Sequence, residues 1–117
     1  MAAPTIDLDA LRATHEPWSF TTRGRRYVAR PVSIEQVIAH EAACIGAGPA
    51  VVLKERRALL RIAFPWRLSY RWRGDPVALI CDAEPAVYRE MWESFSASLH
   101  AWSPRRATPG TTPSTEP

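Results

Sequence analysis

The side chains able to do chemistry are few and scattered. In 117 residues there are three histidines, His15, His40 and His100, and two cysteines, Cys44 and Cys81. Only His40 and Cys44 stand in an i, i+4 relation, and two ligands on one helix face fall short of the four that close a structural zinc site. No Gly-x-Ser-x-Gly elbow occurs, and Gly46-Ala47-Gly48-Pro49 has neither a strand before it nor a lysine in phosphate-loop spacing after it. The acids Asp82 and Glu84, or Glu90 and Glu93, fall where helices start or face solvent. The expectation is a non-enzyme with no metal and no cofactor. Two cysteines this far apart make no disulfide framework and read as reduced, partly buried thiols of a cytoplasmic protein. The start of the chain is acidic and lacks an apolar run, so no signal peptide is expected. No stretch has the roughly 18–20 apolar residues of a membrane span.

Recognition chemistry is better represented. The net charge of +3 conceals three zones. Residues 1–22 and 74–102 are acidic, whereas residues 23–73 hold eleven basic side chains against Glu35, Glu41 and Glu55. Within that basic middle, Trp66, Tyr70 and Trp72 alternate with Arg67, Arg71 and Arg73. Cations for phosphate interleaved with rings for bases is the chemistry that single-stranded nucleic acid requires. Strict period two, however, fits a third strand over 66–72, which would send arginines and rings to opposite faces. An extended loop over the core fits the segment equally. On the strand reading nucleic acid is not an expected partner. Large anchors of the kind interfaces favour remain: Trp66, Trp72, Trp92 and Trp102, with Arg23, Arg25 and Arg26 on a hairpin edge.

The elements that must position these groups are legible. Trp18–Arg30 reads as a β-hairpin around Arg23-Gly24. Thr22 pairs with Arg25, Phe20 with Tyr27 and Trp18 with Ala29, which gathers Trp18, Phe20, Tyr27 and Ala29 on one face. A lone hairpin is unstable, so helices must cover that face. After Pro31, Ser33-x-x-Gln36 fits a capping box, and Ile34, Val37, Ile38, Ala42 and Ile45 share one helix face. Gly46 and Pro49 stop this helix. A second helix over 50–64 carries an apolar stripe of Val52, Leu59, Leu60 and Ala63. Asp75-Pro76 opens a short helix. Glu84-Pro85 opens the last, with Tyr88, Met91, Trp92, Phe95, Leu99 and Trp102 at helical spacing. The fold expected is α+β: an N-terminal hairpin packed on three to four helices over 18–102. A loosely ordered segment (1–17) precedes it and a disordered Pro/Thr/Ser tail (103–117) follows.

Glu41 is the conspicuous polar residue, since it falls in the middle of an apolar helix face. A carboxylate there is costly unless paired. Arg56, on the apolar side of the next helix, is the expected partner; a solvated Glu41 at a helix edge is the alternative.

The order of these features resembles the tail assembly chaperones of long-tailed bacteriophages and prophages. The matching pieces are Phe20 and Tyr27 around Arg23-Gly24-Arg25, then Pro31-x-Ser33 before a helix with a central Glu41. Gly74-Asp75-Pro76-Val77 follows, and then Ala83-Glu84-Pro85-Ala86-Val87 before a helix containing Trp92-Glu93-Ser94-Phe95. The likeness spans residues 18–99. It implies a non-enzymatic protein of the host cytoplasm that binds the helical tape-measure protein and helps recruit major tail-tube subunits around it. The Arg- and Trp-rich stretch 66–73 departs from that pattern and leaves a second reading, a small nucleic-acid-binding or regulatory adaptor.

Overall fold

In a computed structural model, residues 5–100 are described. Helix α1 (Leu8–Thr14) is capped by Asp7, whose side chain accepts from Asp9 N and Ala10 N. None of its residues is buried.

Strands β1 (Ser19–Thr22) and β2 (Arg25–Val28) form a two-stranded antiparallel sheet. The register is the one predicted: Phe20 faces Tyr27, Thr22 faces Arg25, and Ala29 N donates to Trp18 O at 2.8 Å. The loop has two residues, both left-handed, with φ of 52° at Arg23 and 77° at Gly24. That geometry matches the twist of a tight hairpin, and Gly24 adopts it without cost, whereas Arg23 bears a steric penalty.

Among the described residues five helices follow the hairpin. Helix α2 (Ile34–Cys44) opens on a complete capping box: Ser33 Oγ accepts from Gln36 N and Gln36 Oε1 accepts from Ser33 N. Helix α3 (Pro49–Ala63) runs back against α2. One-turn α4 (Tyr70–Arg73) and short α5 (Pro76–Cys81) lead to α6 (Pro85–Leu99). The predicted α+β class, a hairpin on a small helical bundle, is what forms, with α2, α3, α5 and α6 as the bundle.

The core joins the hairpin's inner face to α3, α5 and α6 through Tyr27, Ala29, Leu59, Leu60, Ala63, Phe64, Val77, Ile80, Trp92 and Phe95. Trp18 meets Phe95 edge-on at 5.2 Å, and its indole N–H donates to Ser94 Oγ at 2.9 Å. Phe20 stacks on Tyr27 at 5.1 Å and meets Phe64 edge-on at 5.8 Å. Such ring pairs add to the burial of their apolar area. Arg30 N donates to Ala63 O at 2.7 Å, tying the end of the hairpin to the end of α3.

Two expectations are corrected. Residues 66–72 do not form a third strand. Tyr70 N donates to Arg67 O, Arg71 N to Leu68 O and Trp72 N to Ser69 O, so this backbone closes turns on itself and leaves no row of groups for a sheet edge. Nor do Glu41 and Arg56 pair. Glu41 accepts from the ring of His100, 59 positions away, while Arg56 lies over the Trp92 ring at 4.8 Å and donates to the Tyr88 hydroxyl at 3.3 Å. A ring face and a phenol satisfy the guanidinium, and the carboxylate turns to the end of α6.

Candidate functional site

The side chains singled out from the sequence separate into core and surface. Trp92 is buried and belongs to the core, so it is not a free anchor. Trp66 and Trp72 are 57% and 68% exposed. Arg23, Arg25 and Arg26 are exposed on the hairpin. Trp102 lies outside the described residues, as do residues 1–4 and the tail.

Because 66–73 turns rather than extends, no strand pleat sends its arginines and rings to opposite faces. Tyr70 swings inward to Tyr27, with ring centres 6.3 Å apart, while Trp66, Arg67, Arg71, Trp72 and Arg73 stay exposed. This segment and β2 enclose a groove of about 210 Å³. Arg26, Arg30, Arg67 and Arg73 line it, and Tyr27, Phe64 and Tyr70 supply rings. The walls are held in place by Tyr27, whose hydroxyl donates to Arg73 O at 2.7 Å and reaches Gly74 O at 3.2 Å. The Arg73 guanidinium lies 5.9 Å from the Tyr27 ring centre. Gly74, at φ 100°, turns the chain where a Cβ would stand 3.5 Å from that hydroxyl.

The electrostatics of the groove are one-sided. Among the described residues the ion pairs of arginine are Arg57–Asp82 and Arg61–Asp75, and Glu41 is taken up by the His100 ring. The arginines of the hairpin and of 67–73 take part in none of them. Residues 17–34 and 56–74 contain no Asp or Glu. Like charges gathered on low-dielectric walls focus a positive potential outward.

A second surface lies on α2. Ile34, Val37, Ile38, Ala42 and Ile45 share one face of the helical wheel, but they are not buried together. Instead the helix is turned so that Val37 is buried, with His40, Glu41 and Cys44 half-buried, while Ile34, Ile38 and Ile45 are 47%, 49% and 82% exposed. The rotation follows from the polar contacts: Glu41 reaches His100, and the His40 ring sits 5.7 Å from the Trp92 ring centre. The outward residues recur at i, i+4, i+8 and i+11, an apolar stripe about 16 Å long at helical rise.

The inward polar residues are structural. His100 is 6% exposed. Its Nδ1 lies 2.7 Å from Ser96 O and its Nε2 meets Glu41, so each ring nitrogen faces an oxygen acceptor. The His40 Nε2 lies 3.8 Å from Cys44 Sγ, and its buried Nδ1 has no partner among the described residues. Burial holds the His40 pKa below its usual value, against the opposing pull of Glu55. Burial likewise pushes the Cys81 thiol up, so it is poorly suited to act as a nucleophile. Among the described residues no group of three His, Cys, Asp or Glu side chains is placed to hold a metal. No helix among them is long and apolar enough to cross a membrane. A larger depression of about 630 Å³ along α6 is lined by that helix alone, through Ala86, Val87, Arg89, Glu90, Met91 and Glu93, and converges on no functional group.

Sequence reasoning found the arginines and the tryptophans but not the groove that unites them. Arg30 was not singled out. The signal for it was the absence of acids across residues 17–34.

The chain matches no protein-family model, and neither a curated protein nor a solved structure is significantly similar to it.

Proposed function

We propose that this chain is a non-enzymatic assembly chaperone of the phage or prophage tail, acting in the host cytoplasm. Its client is the elongated, helical tape-measure protein, and it helps to bring major tail-tube subunits to that client. The observation that carries the reading is the outward apolar stripe of α2: Ile34, Ile38, Ala42 and Ile45 at helical spacing, with the exposed Glu35 beside it. A stripe of that length suits the apolar face of one amphipathic client helix. The Glu35 carboxylate favours a helix with a basic residue beside its apolar face. The hairpin-then-helices order agrees with the resemblance, which extends from the hairpin to α6.

The test is co-expression with a phage tape-measure protein. The client stays soluble and co-purifies with the chain. Ile38→Asp and Ile45→Asp abolish co-purification while the far-UV circular dichroism and melting temperature of the chain itself are kept. Client solubility that does not depend on the chain refutes the chaperone role. Full rescue by both variants refutes the α2 surface.

A further inference from the structure

We propose that the groove between β2 and residues 65–73 binds the phosphodiester backbone of a single-stranded nucleic acid, with Trp66 and Trp72 as stacking platforms beside it. This site is independent of the chaperone reading, which rests on α2.

Three observations converge. Four arginines, Arg26, Arg30, Arg67 and Arg73, line one groove, Arg26 Nε donating to Ser19 Oγ at 3.3 Å, and none is paired with a carboxylate among the described residues. Holding them together unneutralised is unfavourable, and an anionic chain passing through relieves that repulsion. Arg23, Arg25 and Arg71 extend the same charge beyond the groove. Second, Trp66 and Trp72, next to Arg67, Arg71 and Arg73 in the chain, are 57% and 68% exposed and lie outside the groove's own lining, free to act beside it. Arginine for phosphate beside indole for bases is the single-strand combination. An acidic peptide would neutralise the arginines but leave the indoles without a role. Third, the walls of the groove are braced by the Tyr27 hydroxyl and by Arg30 N to Ala63 O. The cations are therefore presented by a preformed surface.

Salt sets the expected magnitude. Neutralising four phosphates of a single strand gives a slope near −2.8 in log K against log salt, or about 50-fold weaker binding between 50 and 200 mM. The experiment is fluorescence anisotropy of the full chain with a labelled 20-nucleotide oligothymidylate. A polyglutamate peptide of matched charge and a 20-base-pair duplex serve as competitors. The expected result is oligothymidylate binding with that slope, outcompeting both. Arg67→Ala with Arg73→Ala weakens it at least tenfold at 50 mM salt and flattens the slope by about 1.4. Trp72→Ala, at an exposed position, weakens oligothymidylate about fivefold or more and leaves polyglutamate unchanged. Should the double arginine variant fail to fold, the wild-type slope and Trp72→Ala still decide. No binding at 50 mM salt overturns the proposal. So does equal or tighter binding of polyglutamate or duplex, or a Trp72→Ala variant that binds like wild type.

Discussion

Removing one oxygen from Tyr27 tests how the hairpin is joined to the groove's other wall. Tyr27 is 4% exposed, and its hydroxyl donates to Arg73 O at 2.7 Å, with Gly74 O at 3.2 Å. A hydroxyl has a single hydrogen, so the shorter contact counts as one hydrogen bond. Tyr27→Phe keeps the ring, its stacking on Phe20 and the Arg73 guanidinium above it, so little apolar burial is lost. A hydrogen bond of this kind contributes about 0.5–1.5 kcal/mol net, and a carbonyl left without its donor adds a further cost. Arg73 is exposed and Gly74 half-buried, so water reaches the vacated carbonyls and keeps that cost small. The expected loss is about 1–1.5 kcal/mol. With a urea m-value somewhat above about 1 kcal/mol/M, the midpoint falls by roughly 1 M. The melting temperature falls by about 4–8 °C per kcal/mol. Tryptophan fluorescence reports the unfolding. Tyr70→Phe is the control, because that hydroxyl makes no hydrogen bond among the described residues; its cost should stay below about 0.5 kcal/mol. In Tyr27→Phe the amide of Gly74, which donates to Tyr70 O at 3.1 Å, also exchanges faster with solvent. Equal midpoints for the two variants would refute the brace.

Asp75 has two roles that substitution separates. It accepts from Val77 N at 3.1 Å as the cap of α5 and faces Arg61 through contacts of 3.1 and 2.5 Å. Asp75→Ala should cost about 2 kcal/mol, the cap supplying about 1 and the half-exposed ion pair at most about 1. Asp75→Asn keeps an oxygen for the cap and should cost about half as much in a thermal melt; equal costs would assign the whole effect to the charge. His40 predicts a pH dependence. Its pKa is depressed in the folded chain, chiefly by burial, so the unfolded chain binds more protons below the ordinary histidine value near 6.5. That contribution is fully present above pH ~6.5 and is lost as pH falls toward the depressed value. His40→Leu should therefore lose less stability than wild type between pH 7 and pH 5 in urea titrations. Parallel losses would show that other groups set the acid limit.

The local part of the fold was legible because the interactions that form it lie within a few residues of one another. Alternating rings around Arg23-Gly24 determined the hairpin register. Ser33 with Gln36 determined the start of α2, Asp75-Pro76 that of α5, and Gly46 with Pro49 the break between α2 and α3. Each is a contact across no more than a turn or a tight loop. Three features were decided only in three dimensions. The rotation of α2 could not follow from its own apolar stripe, because Glu41 is satisfied by His100, 59 positions on, and turning toward that partner leaves Ile34, Ile38 and Ile45 outside. Arg56 was recognised as needing a partner, but a ring face serves a guanidinium as a carboxylate does, and only packing selected Trp92. Residues 66–73 have a period that suits both a strand and a turn with Tyr70 inward. Local turn bonds and the Tyr27 hydroxyl, 46 positions away from Arg73, prevailed over pairing with a free hairpin edge. The residue types of the groove were thus written in the chain, but their convergence depended on where Tyr27 found its acceptor.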